Sequence, residues 1–301
     1  MSFASGTAAH RLALTRLPDH QIEPFAAAYA QANAAKRRST LLLIAAVAAA
    51  FFVASNVAEV DPAKFFANIH RFTSYIARLF YLDSGAPVWS DPAEWLWGWK
   101  KWLTLLGDTL LIAYLGTLIG FVAAFLLCFL ASANLNPNPW TRSLVRKFLE
   151  FCRTVPELVF ALIFVVAFSL GPLPGVLALA IHSTGALGKL FSEVVENIDM
   201  KPVEGVTAAG ATWWQTVHLA VVPQVLSNFA SYGLLRFEIN VRGASVMGFV
   251  GAGGIGQDLI EAIRKFYYSD VSAILLLIIV TVFVIDISTG WIRGRLTGGR
   301  A

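Results

Sequence analysis

Arg236, Glu238, Asn240 and Arg242 fall within one short stretch whose other residues are Phe237, Ile239 and Val241. Charge in an apolar helix is costly. A cation at the centre of a bilayer costs about 2.5–3.5 kcal/mol even on the lenient insertion scale, so such groups turn toward a polar cavity or a partner. At helical spacing Glu238 and Arg242 share one face and can pair at i,i+4, while Arg236 shares the other face with neutral Asn240. Glu238 then neutralises Arg242, and Arg236 is left as an uncompensated cation, which suits an anion in transit. The alternative is a structural pair between Arg236 and Asp108 or Asp286. Arg153 and Glu157 are a further i,i+4 pair with Pro156 between them, read as a structural clamp or as a contact with the same path. His182 reads as a hydrogen-bonded packing residue rather than a proton relay. Catalysis has no constellation here. There is no phosphate loop of the G-x-x-x-x-G-K-[ST] type, no H-E-x-x-H pair and no G-x-S-x-G elbow, and His10, His20, His70, His182 and His218 lack metal-ligand spacing. The chain is therefore expected to be no enzyme, with no cofactor or metal of its own.

The elements that must hold those residues are membrane helices. The 301 residues are 57% hydrophobic and 14% charged, with a mean hydropathy of +0.65, the composition of an all-α polytopic membrane protein. The net charge of +4 reflects basic loops that set membrane orientation, not nucleic-acid binding. Cys128 and Cys152 flank an expected cytoplasmic loop and read as packing residues. No cleavable signal peptide is expected: the first 38 residues are polar, and no small-residue cleavage site follows the first apolar run.

Six spans are expected. The first covers residues 39–58, behind Lys36-Arg37-Arg38, which places a cytoplasmic tail at 1–38. Residues 59–102 then lie outside. Asp61-Pro62 opens an amphipathic helix there, with Phe65, Ile69, Phe72, Ile76 and Leu79 on its lipid face. Trp95, Trp97, Trp99 and Trp102 read as an interfacial anchor rather than a ligand cage. Residues 103–131, 154–170, about 175–190, 224–242 and 271–291 supply the other spans, within a core of 103–292. A cytoplasmic tail follows at 293–301. Gly251-Ala252-Gly253-Gly254-Ile255-Gly256 formally matches G-x-G-x-x-G, but no strand precedes it, so a dinucleotide site is rejected. Its glycines read as a break in embedded backbone or as close helix packing.

The loop at 199–223 carries the most specific signal. Glu204 is followed six positions later by Gly210 and nineteen positions later by Pro223. This spacing resembles the EAA loop of ATP-binding-cassette (ABC) importer permeases, although Gly205, Val206 and Ala220 depart from its residue types. Further segments carry a narrower resemblance: Arg153 to Val159, Leu177 to Lys189, Glu193 to Asp199, Arg236 to Arg242 and Val250 to Gly256. Together they resemble the permease subunit of phosphonate ABC importers, over roughly residues 104–292.

The resemblance implies a type I importer fold in the bacterial inner membrane, with both termini cytoplasmic and two permease copies enclosing one pathway. It implies two cytoplasmic ATPase subunits, which hold the ATP, and a periplasmic phosphonate-binding protein. Glu204, Gly205, Ala208, Ala209, Gly210 and Pro223 would couple to the ATPase; Arg236, Glu238, Asn240 and Arg242 would line the path. The alternatives are a permease for another solute, such as phosphite or methionine, and a secondary transporter, against which the EAA spacing counts.

Overall fold

The computed structural model describes residues 19–58 and 61–297. Residues 1–18 of the expected N-terminal tail, and 298–301 with Arg300 of the C-terminal one, lie outside the described residues. By internal contacts the chain divides between Thr73 and Ser74. The first unit holds one long helix, α1 (Asp19–Val57), and the start of α2 (Pro62–Arg78). Lys36-Arg37-Arg38 lies inside α1, so the basic cluster and the apolar run form one continuous helix. Asp61 caps α2 as its sequence requires: its Oδ1 accepts from Ala63 N at 2.9 Å and Lys64 N at 3.2 Å.

The second unit is built on α4 (Trp99–Ala131) and α7 (Pro172–Glu196). These helices run in close contact because α4 carries Gly116 and Gly120, one turn apart. A Cβ at Gly120 would stand 2.6 Å from Ser183 Cβ and 2.9 Å from Ala180 O, so only glycine lets the two backbones approach. Three buried clusters succeed one another along α4. Trp102 and Leu106 pack with Ile255, Leu259 and Ile274. Ile112 and Ala113 pack with Phe160, Leu179 and Met247. Ala124, Cys128 and Phe129 pack with Phe191, Phe229 and Val221. In the last cluster the Phe191 and Phe229 rings stack with centroids 3.9 Å apart. Cys128 and Cys152 are both buried and unbridged.

The expected all-α architecture is present, and no strand forms among the described residues beyond an isolated bridge between Tyr81 and Pro87. Among the described residues four helices are long and apolar enough to cross a membrane, and five if one bent pair counts as a span. That bent pair corrects the third expected span. Residues 139–154 form helix α5 (Pro139–Thr154) rather than a loop, and α6 (Glu157–Phe168) leaves it at 85°. Pro156 is the cause: it forces Val155 into extended backbone, at φ −74° and ψ 123°, and ends α5 there. The fifth expected span is longer than 224–242, because α10 runs Val222–Met247. Arg236, Glu238 and Arg242 keep it apart from the plainly apolar helices.

Trp102 is 2% exposed and belongs to the core, not to a surface belt. The short helix α3 (Pro92–Trp95) and the turn after it are fastened to the last helix, α12 (Tyr268–Thr297). Trp95 Nε1 donates to Ser272 Oγ and Trp97 Nε1 to Asp270 Oδ1, both at 2.9 Å. Gly251, Gly253 and Gly254 all have left-handed φ values of 81–84°. They form the break between α10 and α11 (Ile255–Lys265), where Thr109 Oγ1 accepts from Ile255 N at 2.9 Å.

Candidate coupling loop and buried polar cluster

The loop at 199–223 folds as two short helices joined at Gly210. Helix α8 (Met200–Ala208) begins at Asp199, whose carboxylate accepts from Lys201 N at 3.0 Å. Helix α9 (Trp213–Thr216) begins with a capping box between Thr212 and Gln215. Between them Gly210 adopts φ +87°, a left-handed turn that favours glycine. No atom lies within 4 Å of the position its Cβ would occupy, so backbone conformation and not crowding selects the residue.

The loop is anchored by its inner face. Val203, Val217 and Val221 enter the Phe191–Phe229 cluster. Trp213 Nε1 donates to Leu135 O at 3.0 Å, and Gln224 Nε2 donates to Asp199 O at 3.2 Å. The outer face presents Glu204, Gly205, Ala208, Ala209, Gly210 and Trp214 to the surroundings. Pro223 stands in the first turn of α10. It has no N–H to give to the carbonyl of Leu219, and its ring would crowd that carbonyl. The chain responds with a π-helical turn over Val217–Val221, closed by Val222 N bonding to Val217 O. Glu204, Gly210 and Pro223 thus occupy a surface, a turn and a helix start.

The charged residues of α10 lie on the two faces that their spacing assigns. On one face Glu238 has only 7% of its side chain exposed and meets Arg242 at 3.4 Å, Arg293 at 3.5 Å and the Thr289 hydroxyl at 3.3 Å. This corrects the expected burial: Arg242 is about half exposed, and the buried member of the pair is the carboxylate. Glu238 therefore joins α10 to α12 through Arg293 and Thr289, while its contact with Arg242 lies within α10.

The opposite face points between α4 and α7. Arg236 is 9% exposed and Asn240 1%. Arg236 Nε donates to Ser183 Oγ at 3.1 Å, and Asn240 Nδ2 donates to both Thr117 Oγ1 and Ser183 Oγ at 2.8 Å. Arg236 has no ion pair with Asp108 or Asp286; Asp286 is exposed. Two buried atoms in this cluster have no partner, Arg236 Nη2 and Asn240 Oδ1. The nearest carboxylate influence on Arg236 is electrostatic and comes from Glu157.

Glu157 is not paired with Arg153. The helix that would have aligned them at i,i+4 is broken at Pro156, and Arg153 is exposed on α5. Glu157 Oε2 instead lies 3.4 Å from His182 Nδ1, which also stands 3.2 Å from Val155 O. Ser183 and Thr117 were not singled out from sequence. Hydroxyls are common on apolar helices, where they bond the preceding turn, as Thr117 does to Ala113 O at 2.6 Å. Nothing local marks the ones that also receive a guanidinium or an amide.

Comparison with known proteins agrees with this architecture. Residues 116–298 match the family model described as the binding-protein-dependent transport system inner membrane component. The phosphite transport system permease protein PtxC of Stutzerimonas stutzeri is 44% identical over 196 residues, covering 65% of this chain and 71% of that one. A protein named as a cryptic phosphonate transport system permease, PhnE2 of Escherichia coli K12, is 54% identical over 110 residues, covering 36% of this chain and 90% of that one. Among solved structures, an inward-facing MetNI methionine ABC transporter superposes with a TM-score of 0.56 at 19% identity, covering 69% of this chain and 99% of that one, and so shares the fold. The chain belongs to the binding-protein-dependent transport inner membrane component family: it is a multi-pass membrane permease of an ABC importer, which works with an ATPase and a binding protein and is not itself the ATPase.

Proposed function

We propose that two copies of this chain form the translocation path of an ATP-driven importer for phosphonates. Two cytoplasmic ATPases dock on the loop at 199–223, and a periplasmic phosphonate-binding protein delivers the solute. Both termini lie in the cytoplasm, which puts the loop on the same side as the ATPases. Closure of the ATPases is felt at the outer face of α8 and α9 and carried through Val203, Val217 and Val221 into the Phe191–Phe229 cluster, which joins α4, α7 and α10. Arg236 and Asn240 belong to the path, and Glu238 with Arg242 holds the helix that presents them. Phosphite is the close alternative, since a phosphite permease is among the similar proteins.

The observation that carries the anion reading is the buried guanidinium of Arg236, which has a free N–H and no ion-paired carboxylate. Inside a membrane protein such a cation attracts an anion strongly, because water does little to screen it. Uptake by the chain reconstituted with its matched ATPase and binding protein, comparing methylphosphonate, phosphite and phosphate, tests the assignment. ATP-dependent uptake of methylphosphonate or phosphite ahead of phosphate is expected. Uptake without ATP, or of none of the three, would overturn it.

A further inference from the structure

The segment that joins α3 to α4 bridges two membrane helices. It enters α4 at Trp99, while Trp95 Nε1 and Trp97 Nε1 are bonded to Ser272 and Asp270 near the start of α12. Asp91 stiffens the bridge: its Oδ1 accepts from Ala93 N at 3.0 Å and from Glu94 N at 3.1 Å. Beneath the bridge α4 and α12 touch sparingly. A cavity of about 600 Å³ lies there, roofed by Ala93, Leu96 and Trp97 and walled by Trp99, Leu103 and Leu277. That is within the range of small-molecule sites, about 300–1,000 Å³.

The lining has the profile of a lipid. Trp97 spends its N–H on Asp270 and turns an apolar ring to the cavity. Both walls belong to helices long and apolar enough to cross a membrane. Leu277 is followed on its side of α12 by Val280 and Val284, and Leu103 on α4 by Leu111, all three exposed, so apolar surface continues from the cavity into the bilayer. At the rim the chemistry changes. Lys100 Nζ stands 5.8 Å from the centroid of the Trp99 ring, which is itself part of the cavity wall. Lys101 is held by Asp258 at 2.6 Å, whereas Lys100 makes no ion pair among the described residues. Tryptophan and a free lysine at the head of an apolar groove match the boundary where a phospholipid carries its phosphate. A helix of a second copy running along the groove would meet the bridge; an acyl chain ends below it.

We propose that this cavity is a phospholipid site, with one acyl chain between Leu103 and Leu277 beneath the bridge and the lipid phosphate at Lys100. The site does not depend on which solute is transported. The test is photolabelling of the complete importer in nanodiscs by phosphatidylglycerol that carries a diazirine in one acyl chain, with adducts mapped by peptide mass spectrometry. Labelling at residues 92–103 and at Leu277 should exceed, several-fold, that at Phe283 and Ile287, which are exposed elsewhere on α12. Leu277→Trp fills the cavity and should abolish the excess. If that variant does not assemble, Ala93→Trp, on the exposed roof, is read instead. Lys100→Gln should lower the labelling about fivefold, the scale of one cation facing an anionic headgroup. It should leave labelling by a diazirine diacylglycerol, which has no phosphate, unchanged.

Equal labelling of the cavity and of Phe283 and Ile287 would mean bulk lipid contact alone and overturn the proposal. Absence of labelling at the cavity would mean that protein covers it, a second copy foremost, and would overturn it as well. So would an excess that survives in an assembled filling variant. Lys100→Gln acting on both probes alike, or on neither, would remove the phosphate from the rim and with it the phospholipid assignment.

Discussion

The loop at 199–223 and the cluster around Arg236 invert the usual relation between burial and satisfaction. The loop is largely exposed, yet its turns are fully tied: Asp199, Thr212 and Gln215 cap its helices, and Trp213 and Gln224 bind it to its neighbours. The cluster is buried, yet two of its polar atoms have no partner. A rigid surface and an unsatisfied interior serve different ends. A surface that transmits force must not deform under load, while a site that receives a ligand must leave something for the ligand to complete. The far face of α10 is the internal control, because Glu238 there is buried and has partners on two helices.

The largest expected effect breaks the loop side of this contrast. No neighbouring atom would meet a side chain at Gly210, so Gly210→Asp should leave the chain folded and inserted. Its cost within the chain is the left-handed conformation alone, about 1 kcal/mol. The new carboxylate projects from the proposed docking face, and ATPase pull-down and uptake should fall close to background. Glu204→Lys should do the same less severely. Normal association with the ATPase in both variants would remove the loop from the coupling path.

Next in size is the satisfied face of α10. Glu238→Ala leaves Arg242 and Arg293 facing each other without their shared carboxylate, a loss of roughly 1.5–3 kcal/mol for hydrogen bonds to charged groups. The result should be a lower thermal midpoint and lower abundance in the membrane, with uptake per assembled complex retained. Arg242→Ala should cost less, because that side chain is about half exposed. Equal losses in the two variants would show that the pair, and not the buried carboxylate, carries the stability.

The unsatisfied face should respond in the opposite way. Arg236→Ala removes a guanidinium with one hydrogen-bonded nitrogen and one free nitrogen, so assembly should persist while uptake per complex falls about tenfold or more. Arg236→Lys should recover only part of this, since an ammonium retains the charge but not the fork of donors. A drop in abundance equal to that of Glu238→Ala would make Arg236 a structural residue and end the contrast between the two faces.

How much of this was legible in the sequence varies with the range of the interaction. The facing of Arg236 and Asn240 against Glu238 and Arg242 followed from helical periodicity, and Gly210 from the resemblance of its loop to the EAA pattern. The start of α2 followed from Asp61-Pro62. What was not legible depends on contacts between distant segments. Ser183 matters because Arg236 reaches it from another helix, and Thr289 and Arg293 matter because α12 lies against α10. Trp102 looked like an interfacial residue among other tryptophans until Ile255 and Ile274 closed over it. The break at Pro156 was visible in the sequence. Its consequence, the separation of Arg153 from Glu157, follows only once the proline is given its full weight against i,i+4 counting.

That separation supports the smallest prediction and the sharpest statement about the cluster's boundary. Were Arg153 and Glu157 a clamp, replacing either would remove the same interaction, and the double variant would cost little more than one single variant. The structure sets Glu157 against His182 and within the field of Arg236, whereas Arg153 is exposed on the far side of an 85° bend. Arg153→Ala should therefore leave uptake near wild type and change stability by no more than about 0.5 kcal/mol, as for an ordinary surface position. Glu157→Gln keeps the shape but removes the carboxylate's charge, so it should alter anion uptake through Arg236. In Arg153→Ala/Glu157→Gln the two effects on stability should add within about 0.5 kcal/mol. A measured coupling above about 1 kcal/mol would put the two residues back in contact and assign Glu157 to the helix corner instead of the anion site.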